Sequence, residues 1–147
     1  MSNAAYNRKV LKNYFDMVED EVIAVQKKIV KDGLQKLFNK SPHKGIGKTA
    51  KSEYDANHKI SIDGSAFGGH KKATHSKTIS KGLNKAQQSK TNKIKFGSNV
   101  TITNDTAHAL NVETGLAWSE QPGYYPYRST RNYLKNKYRK VLSVGVK

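Results

Sequence analysis

Apolar side chains recur every three or four residues along a stretch near the start of the chain. This stripe begins at Leu11 and ends at Phe38, and its spacing predicts one long amphipathic helix that stops at Ser41-Pro42. At about 1.5 Å per residue the helix is roughly 40 Å long, so it needs a broad surface such as a β-sheet to lie against. The stripe consists of Leu11, Tyr14, Phe15, Val18, Val22, Val25, Ile29, Leu34, Leu37 and Phe38.

Three short segments alternate apolar and polar residues, which is typical of half-buried strands. They are HKISIDG at 58–64, KIKFG at 93–97 and SNVTITN at 98–104. The last two are expected to pair across a tight turn at Gly97-Ser98.

The end of the chain predicts a closing basic helix over 128–142, while 106–115 fits either a short helix or an extended piece. The fold class we expect is α+β. A long N-terminal helix packs on a small, mainly antiparallel β-sheet, and a C-terminal helix completes the fold. The length of 147 residues favours a single domain, 1–147.

The middle of the chain contains no acidic residue between positions 64 and 104. Much of it is loop-like, with a weak helical pattern around Leu83, so we expect a basic, flexible insertion at about 64–92. Its lysines fit sequence-independent contact with DNA phosphates or with an acidic partner, and a solvated mobile loop is the competing interpretation. The candidate contact residues are Lys71, Lys72, Lys77, Lys81, Lys85 and Lys90.

The overall charge restricts the partners of the chain. Its 27 Lys and Arg residues against 11 Asp and Glu give a formal charge of +16, which favours an anionic partner, either nucleic acid or acidic proteins in an assembly. The chain has no cysteine, so disulfides and thiolate metal sites are excluded. No stretch has the apolar core of a signal peptide or the ~20 apolar residues of a membrane span, so we expect synthesis in the cytosol and no membrane partner.

Two patterns that suggest ligand binding are weak. GIGKTA at 45–50 resembles part of a phosphate-binding loop, but Pro42 stands where the first glycine belongs and no strand precedes it, which favours a flexible turn. The five histidines, at positions 43, 58, 70, 75 and 108, lack metal-ligand spacing, and we expect them at the surface.

Catalytic residues are equally sparse. Phosphodiester chemistry with metals needs several converging carboxylates, and few acids follow Asp63. A metal-free route through His108 as base and Glu113 remains the alternative of a small nuclease or toxin. We therefore expect that the chain is not an enzyme and that it binds no cofactor and no metal.

A loop rich in aromatic residues lies between 116 and 130. Tyrosine, tryptophan and arginine together are typical of protein–protein contact surfaces, while a loop that plugs its own core is the competing interpretation. The candidate subunit-interface residues are Trp118, Tyr124, Tyr125, Tyr127 and Arg131.

The order of these segments resembles a family of tailed-bacteriophage neck and tail-completion (head-tail joining) proteins. The specific part is 99–130, where VTITNDTAHALNVETG at 100–115 supplies a Thr-Asn, an alanine and a Glu-x-Gly, and QPGYYPYRST at 121–130 supplies the loop before the last helix. The resemblance implies a non-enzymatic virion protein that forms a ring around the DNA channel at the head-tail junction. It implies assembly in the host cytoplasm with six or twelve copies of itself, with adjacent neck, portal-adaptor or tail proteins, and with passing genomic DNA.

The resemblance also implies a structural role for the carboxylate in Glu-x-Gly. Our hypothesis is a corner made by Asn104, Glu113, Gly115 and Arg128. Glu113 would either pair with Arg128 or Arg131 or accept backbone N–H bonds, while Gly115 permits the turn. The competing function is a freestanding, sequence-independent nucleic-acid-binding protein.

Overall fold

The computed structural model describes residues 2–42, 54–55, 57–69, 77–116 and 121–140. They form the expected α+β fold, in which a long N-terminal helix lies against a three-stranded antiparallel sheet and a C-terminal helix packs on the first helix. In chain order the elements are α1 (Asn3–Lys40), β1 (His58–Ile62), β2 (Ser65–Gly68), α2 (Lys77–Lys90), a 3₁₀ turn (Thr91–Lys93), β3 (Val100–Asn104), α3 (Ala109–Thr114), β4 (Gly115–Leu116), β5 (Gln121–Pro122) and α4 (Pro126–Lys137).

The sheet has the order β2-β1-β3, with β1 at its centre. The turn between β1 and β2 consists of Asp63 and Gly64, with φ of 50° and 85°, as in a two-residue hairpin of type I′. Ile60 lies opposite Phe67 on one side and Ile102 on the other, so an apolar row crosses all three strands. A second, two-stranded sheet pairs β4 with β5.

The core forms where the C-terminal half of α1 meets the apolar side of β1. Its six buried residues are at most 9% exposed, and they are Val30, Leu34, Phe38, Ile60, Ile62 and Ile94. Partly buried Phe67, Leu83, Val100 and Ile102 pack around them. The sheet contact predicted for the first helix is therefore made by its second half.

The N-terminal half of α1 extends past this core. At about 1.5 Å per residue, 38 helical residues span ~57 Å, whereas a strand of five residues spans only about 17 Å. The sheet is too small to cover the helix, so Leu11, Tyr14 and Phe15, which we expected in a buried stripe, are more than half exposed.

The C-terminal helix α4 packs against the N-terminal helix α1. Gly33 allows the close approach, because a Cβ there would lie 3.1 Å from Leu134 Cδ1. The Tyr138 hydroxyl donates to the Asp32 carboxylate, and Lys137 Nζ lies 2.7 Å from the same group. The helix α4 begins at Pro126, two residues before the expected start, and the residues after 140 lie outside the described ones.

Two strand predictions in the middle of the chain need correction. KIKFG is not a strand, because the 3₁₀ turn and a turn at Gly97 (φ 78°) interrupt it, so Ile94 enters the core while Phe96 is 55% exposed. The second strand of the hairpin is instead SAFG, β2, which we had expected to be a loop.

The expected flexible insertion at 64–92 contains ordered elements among its described residues. Besides β2 it includes the whole of α2, whose Asn84 and Gln87 are buried. Gln87 Nε2 donates to the carbonyl of His58 over 2.5 Å, and Asn84 Nδ2 donates to Gln35 Oε1 over 3.1 Å. The weak helical pattern thus becomes a helix because polar side chains fix it to β1 and α1.

Replacing Gly68 by alanine should destabilise the fold more than the matched change at Gly64. Both glycines have positive φ, 99° and 85°, so each alanine variant carries backbone strain of about 1 kcal/mol. Only at Gly68 would the new Cβ lie 2.4 Å from Gln87 Nε2 and 2.7 Å from the His58 carbonyl oxygen. We expect losses of about 1 kcal/mol for Gly64→Ala and about 3 kcal/mol for Gly68→Ala in urea unfolding. Equal losses would contradict the packing of α2 against the end of β2.

Candidate functional site

The carboxylate of Glu113 caps the N-terminus of α4. The backbone N–H of Tyr127 donates to Oε2 over 3.0 Å, and that of Arg128 donates to Oε1 over 2.8 Å. Tyr125 stands at the N-cap position without a side-chain cap hydrogen bond, and Pro126 follows it with no N–H to satisfy. A negative carboxylate at this end also interacts favourably with the helix dipole. Of the side-chain and backbone partners considered for Glu113, the carboxylate contacts the backbone N–H groups.

The backbone around Glu113 turns sharply at Gly115. Gly115 follows α3 with φ 92°, a conformation that other residues resist. The loop then returns, so that the N–H of Tyr124 donates to the Val112 carbonyl over 2.9 Å. Gly123 permits this approach, because a Cβ there would lie 2.4 Å from the Glu113 carbonyl oxygen. The corner is thus held by main-chain contacts, and the Arg128 side chain instead lies over the ring of Tyr125, 5.6 Å from its centroid.

A second polar centre lies beneath this corner, around His58. Its Nε2 lies 2.7 Å from Ser41 Oγ, which itself donates to the Leu37 carbonyl, so Nε2 carries the proton and donates. Its Nδ1 then accepts from the Tyr127 hydroxyl over 3.0 Å and from Asn104 Nδ2 at 3.3 Å. Our expectation of a surface histidine is wrong here, because His58 is fully buried.

Aromatic rings enclose His58 on three sides. The rings of Phe38 and Tyr54 lie 5.0 Å from it and that of Tyr127 lies 5.6 Å from it, all edge-on. Burial lowers the pKa of His58 to about 3, so the ring is neutral at physiological pH. Burial also raises the pKa of the Tyr54 and Tyr127 hydroxyls, with the charge of Glu113 adding to it.

This centre links the chain segments that the fold must bring together. Ser41 ends α1, His58 begins β1, Asn104 ends β3 and Tyr127 belongs to α4. The hydroxyl of Ser41 donates to a main-chain carbonyl and is 4% exposed, so the serine–histidine pair lacks the access that a nucleophile needs. Asn104 also donates to the Tyr54 carbonyl over 2.7 Å. We infer a structural role for the group.

In the alternative catalytic pair, His108 and Glu113, the carboxylate is bound by backbone N–H groups. Both Glu113 oxygens are engaged by backbone N–H groups, and His108 is the residue before α3. Among the described residues, no group of three or more histidines and acids could hold a metal ion. The glycine-containing segment 45–50 lies outside the described residues.

The basic residues predicted to contact DNA or an acidic partner are only partly placed. Lys81 and Lys85 are exposed on α2, and Lys90 lies over the ring of Phe67, 4.6 Å from its centroid. Lys71 and Lys72 lie outside the described residues, and Lys77 is the first residue of α2.

Two further lysines of the same basic stretch lie beside Lys90. Lys90 lines a shallow pocket of about 470 Å³ together with Lys93 and Lys95. The three amines give the rim of the sheet a local positive surface.

The predicted subunit-interface residues divide between the surface and the interior. Tyr124 is 53% exposed, and Tyr125 and Arg131 are exposed as well. Tyr127 packs inside its own chain against His58. Trp118 lies outside the described residues.

A surface that we had not predicted lies on the N-terminal half of α1. Seven large apolar side chains there are between 44% and 60% exposed, and we call them the exposed apolar face of α1: Tyr6, Val10, Leu11, Tyr14, Phe15, Met17 and Val22. At about 100° per residue, these seven side chains fall on one half of the helix circumference.

Comparisons with protein-family models, with curated proteins and with solved structures find no match for this chain. Among the described residues, no helix is both long enough and apolar enough to cross a membrane.

The capping role of Glu113 predicts unequal effects for two neighbouring substitutions. Glu113→Ala removes the acceptor for two backbone N–H groups, so we expect a loss of about 2 kcal/mol in the free energy of unfolding. Arg128→Ala should cost less than about 0.5 kcal/mol, because only the backbone of Arg128 meets the carboxylate. Chemical denaturation of both variants measures the difference. A large effect of Arg128→Ala with a small one of Glu113→Ala would favour the side-chain ion pair instead.

The burial of neutral His58 predicts a stability that falls in mild acid. The unfolded chain binds a proton at this histidine near pH 6.5, whereas the folded protein does so only near pH 3. Stability from this group is therefore complete above pH 6.5 and is lost as the pH falls below it, by about 1 kcal/mol per pH unit. Urea unfolding between pH 7 and pH 4.5 should show this slope. His58→Gln should be less stable at pH 7 and should lose the part of the pH slope that His58 contributes. Identical slopes in the two proteins would contradict a buried, neutral His58.

Proposed function

We propose that this chain is a structural virion subunit of the phage neck or tail-completion type, which forms a ring of six or twelve copies around the DNA channel at the head-tail junction. The observation that carries the proposal is the exposed apolar face of α1. A soluble subunit keeps such a surface for contact with other subunits, because uncovered apolar area favours association in water.

The corner at Glu113 supports the same proposal. The resemblance over 99–130 implies a structural carboxylate followed by a loop that faces a neighbour. Both Glu113 oxygens accept backbone N–H bonds, and the loop they position directs Tyr124 and Tyr125 outward. Exposed tyrosines beside an arginine supply contact area at low entropic cost.

The charge of the chain supports a place beside DNA or acidic neighbours. A net charge of +16 on 147 residues favours an anionic surrounding, which a DNA channel or the faces of adjacent rings would provide. Identical subunits that surround a channel do so with closed cyclic symmetry.

A second candidate is a freestanding nucleic-acid-binding protein. The positive surface around Lys90, Lys93 and Lys95 favours it. Such a protein binds duplex DNA with an affinity that falls steeply with salt, and it needs no ring.

Mass measurement in solution, combined with negative-stain electron microscopy, tests the proposal. The chain should be measured alone and with the neck, portal-adaptor and tail proteins of the same phage. We expect closed rings of six or twelve times the 16.4 kDa subunit mass. They form either from the chain alone or after those neighbouring proteins are added. As a matched pair, Tyr124→Ala should reduce ring formation at least tenfold, whereas Leu110→Ala, at a 71% exposed position on α3, should not.

The contrary result is equally specific. A chain that stays monomeric or dimeric with every neighbour, and that binds duplex DNA in a steeply salt-dependent manner, would overturn the ring and support the second candidate.

A further inference from the structure

The exposed apolar face of α1 continues a surface that already binds a helix. Leu11, Val22 and Gly33 are each eleven residues apart, which is three turns, so they lie along one line of the helix. At Gly33 this line is covered by Leu134 of α4. Further toward the N-terminus on this line, Leu11 and Val22 are 55% and 44% exposed. The same line is therefore suited to packing against a second helix further toward the N-terminus.

The charges beside this face form two blocks of opposite sign. Arg8, Lys9 and Lys12 come first, and Asp16, Glu19, Asp20 and Glu21 follow; this second block holds four of the 11 acids in the chain. All seven side chains are exposed. Arg8 and Glu19 are again eleven residues apart, so they lie on the same flank of the apolar face.

The order of the two blocks makes the segment complementary to a reversed copy of itself. In an antiparallel pair with its two-fold axis at Tyr14, Arg8 of one helix lies within one residue of the level of Glu19 of the other, and the reverse holds by symmetry. The apolar residues also match, because Leu11 then lies within one residue of the level of Val18 of the second helix. A parallel, in-register pair would instead place each charge block against a block of the same sign.

We propose that two copies of this chain dock antiparallel through the N-terminal halves of α1, about a two-fold axis near Tyr14. The occupant of the exposed apolar face is thus a second copy of the same helix. Burial of the apolar side chains drives the association, and the two charge blocks set the antiparallel orientation.

This dimer goes beyond the proposed function and does not depend on it. Adjacent subunits of a six-fold or twelve-fold ring are related by rotations of 60° or 30°, so a two-fold contact between neighbours does not fit within one ring. The α1 dimer is accordingly the form of the free subunit, and joining a ring requires its exchange for other contacts.

Single cysteines test the geometry directly, because the chain has no cysteine of its own. Tyr14→Cys lies at the proposed axis and should give a disulfide-linked dimer under mild oxidation. Leu11→Cys alone should not, since its own copy lies six residues away along the pair, about 9 Å and beyond disulfide reach. Leu11→Cys combined with Val18→Cys should restore the cross-link. Leu110→Cys, at an equally accessible position on α3, is the control and should stay at background.

Charge reversal tests the orientation by sedimentation equilibrium. Arg8→Glu and Glu19→Arg should each raise the dimer dissociation constant about tenfold, because each creates two repulsive contacts in the symmetric pair. The double reversal should return it to within about threefold of the original. Lys81→Glu changes the net charge as Arg8→Glu does, but it lies on α2 and should have no such effect. Circular dichroism checks that all variants keep their helices.

Three results would overturn the dimer. The first is a monomer at all accessible concentrations, and the second is a dimer that persists unchanged in Leu11→Asp. The third is self-linking of Leu11→Cys, which would indicate a parallel pair. The dimer and the ring both draw on the exposed apolar face of α1, but different measurements test them. Electron microscopy with neck and tail proteins tests the ring, and failure to form a ring would leave the α1 dimer intact.

Discussion

The difference in length between α1 and the small β-sheet determines where the core forms and which part of the helix stays exposed. A sheet of three strands, none longer than five residues, covers only the C-terminal half of a 38-residue helix. The core consequently gathers at one end of α1, where Leu34 and Phe38 meet β1. The other half keeps its apolar side chains in solvent. Since burial of apolar area is the main favourable term in association, the uncovered half is also where assembly has most to gain.

The C-terminal end of α1 also lies among hydrogen-bonded polar groups. Glu113 accepts from the N-terminus of α4, and His58 is hydrogen-bonded between Ser41 and Tyr127. Satisfied buried polar groups fix one arrangement, because any rearrangement would leave a donor or acceptor unpaired. The tyrosine loop after Gly123 is thereby held in one position. The hydrogen-bonded corner and the solvent-exposed half of α1 thus lie in different parts of the molecule.

The sequence predicted the elements whose patterns are local, and missed those set by tertiary contacts. The period of α1 and the strands β1 and β3 followed from residue order, whereas the structural role of Glu113 was implied by the family resemblance. His58 was misjudged, although its spacing of two from Ile60 already placed it on the buried face of β1. Asp63-Gly64 was read as the end of a strand instead of a hairpin turn, so β2 was missed. The exposed length of α1 depends on the size of the sheet, which no local pattern shows.

Hydrogen–deuterium exchange of residues 6–22, followed against protein concentration, tests the central claim most directly. An uncovered helical arm of this length is marginal in water, so it exchanges quickly. The account predicts rapid exchange in dilute solution and strong protection as subunits associate, with little change in the core around Leu34. Protection of residues 6–22 in the dilute monomer would contradict it, because the chain would then cover this face by itself.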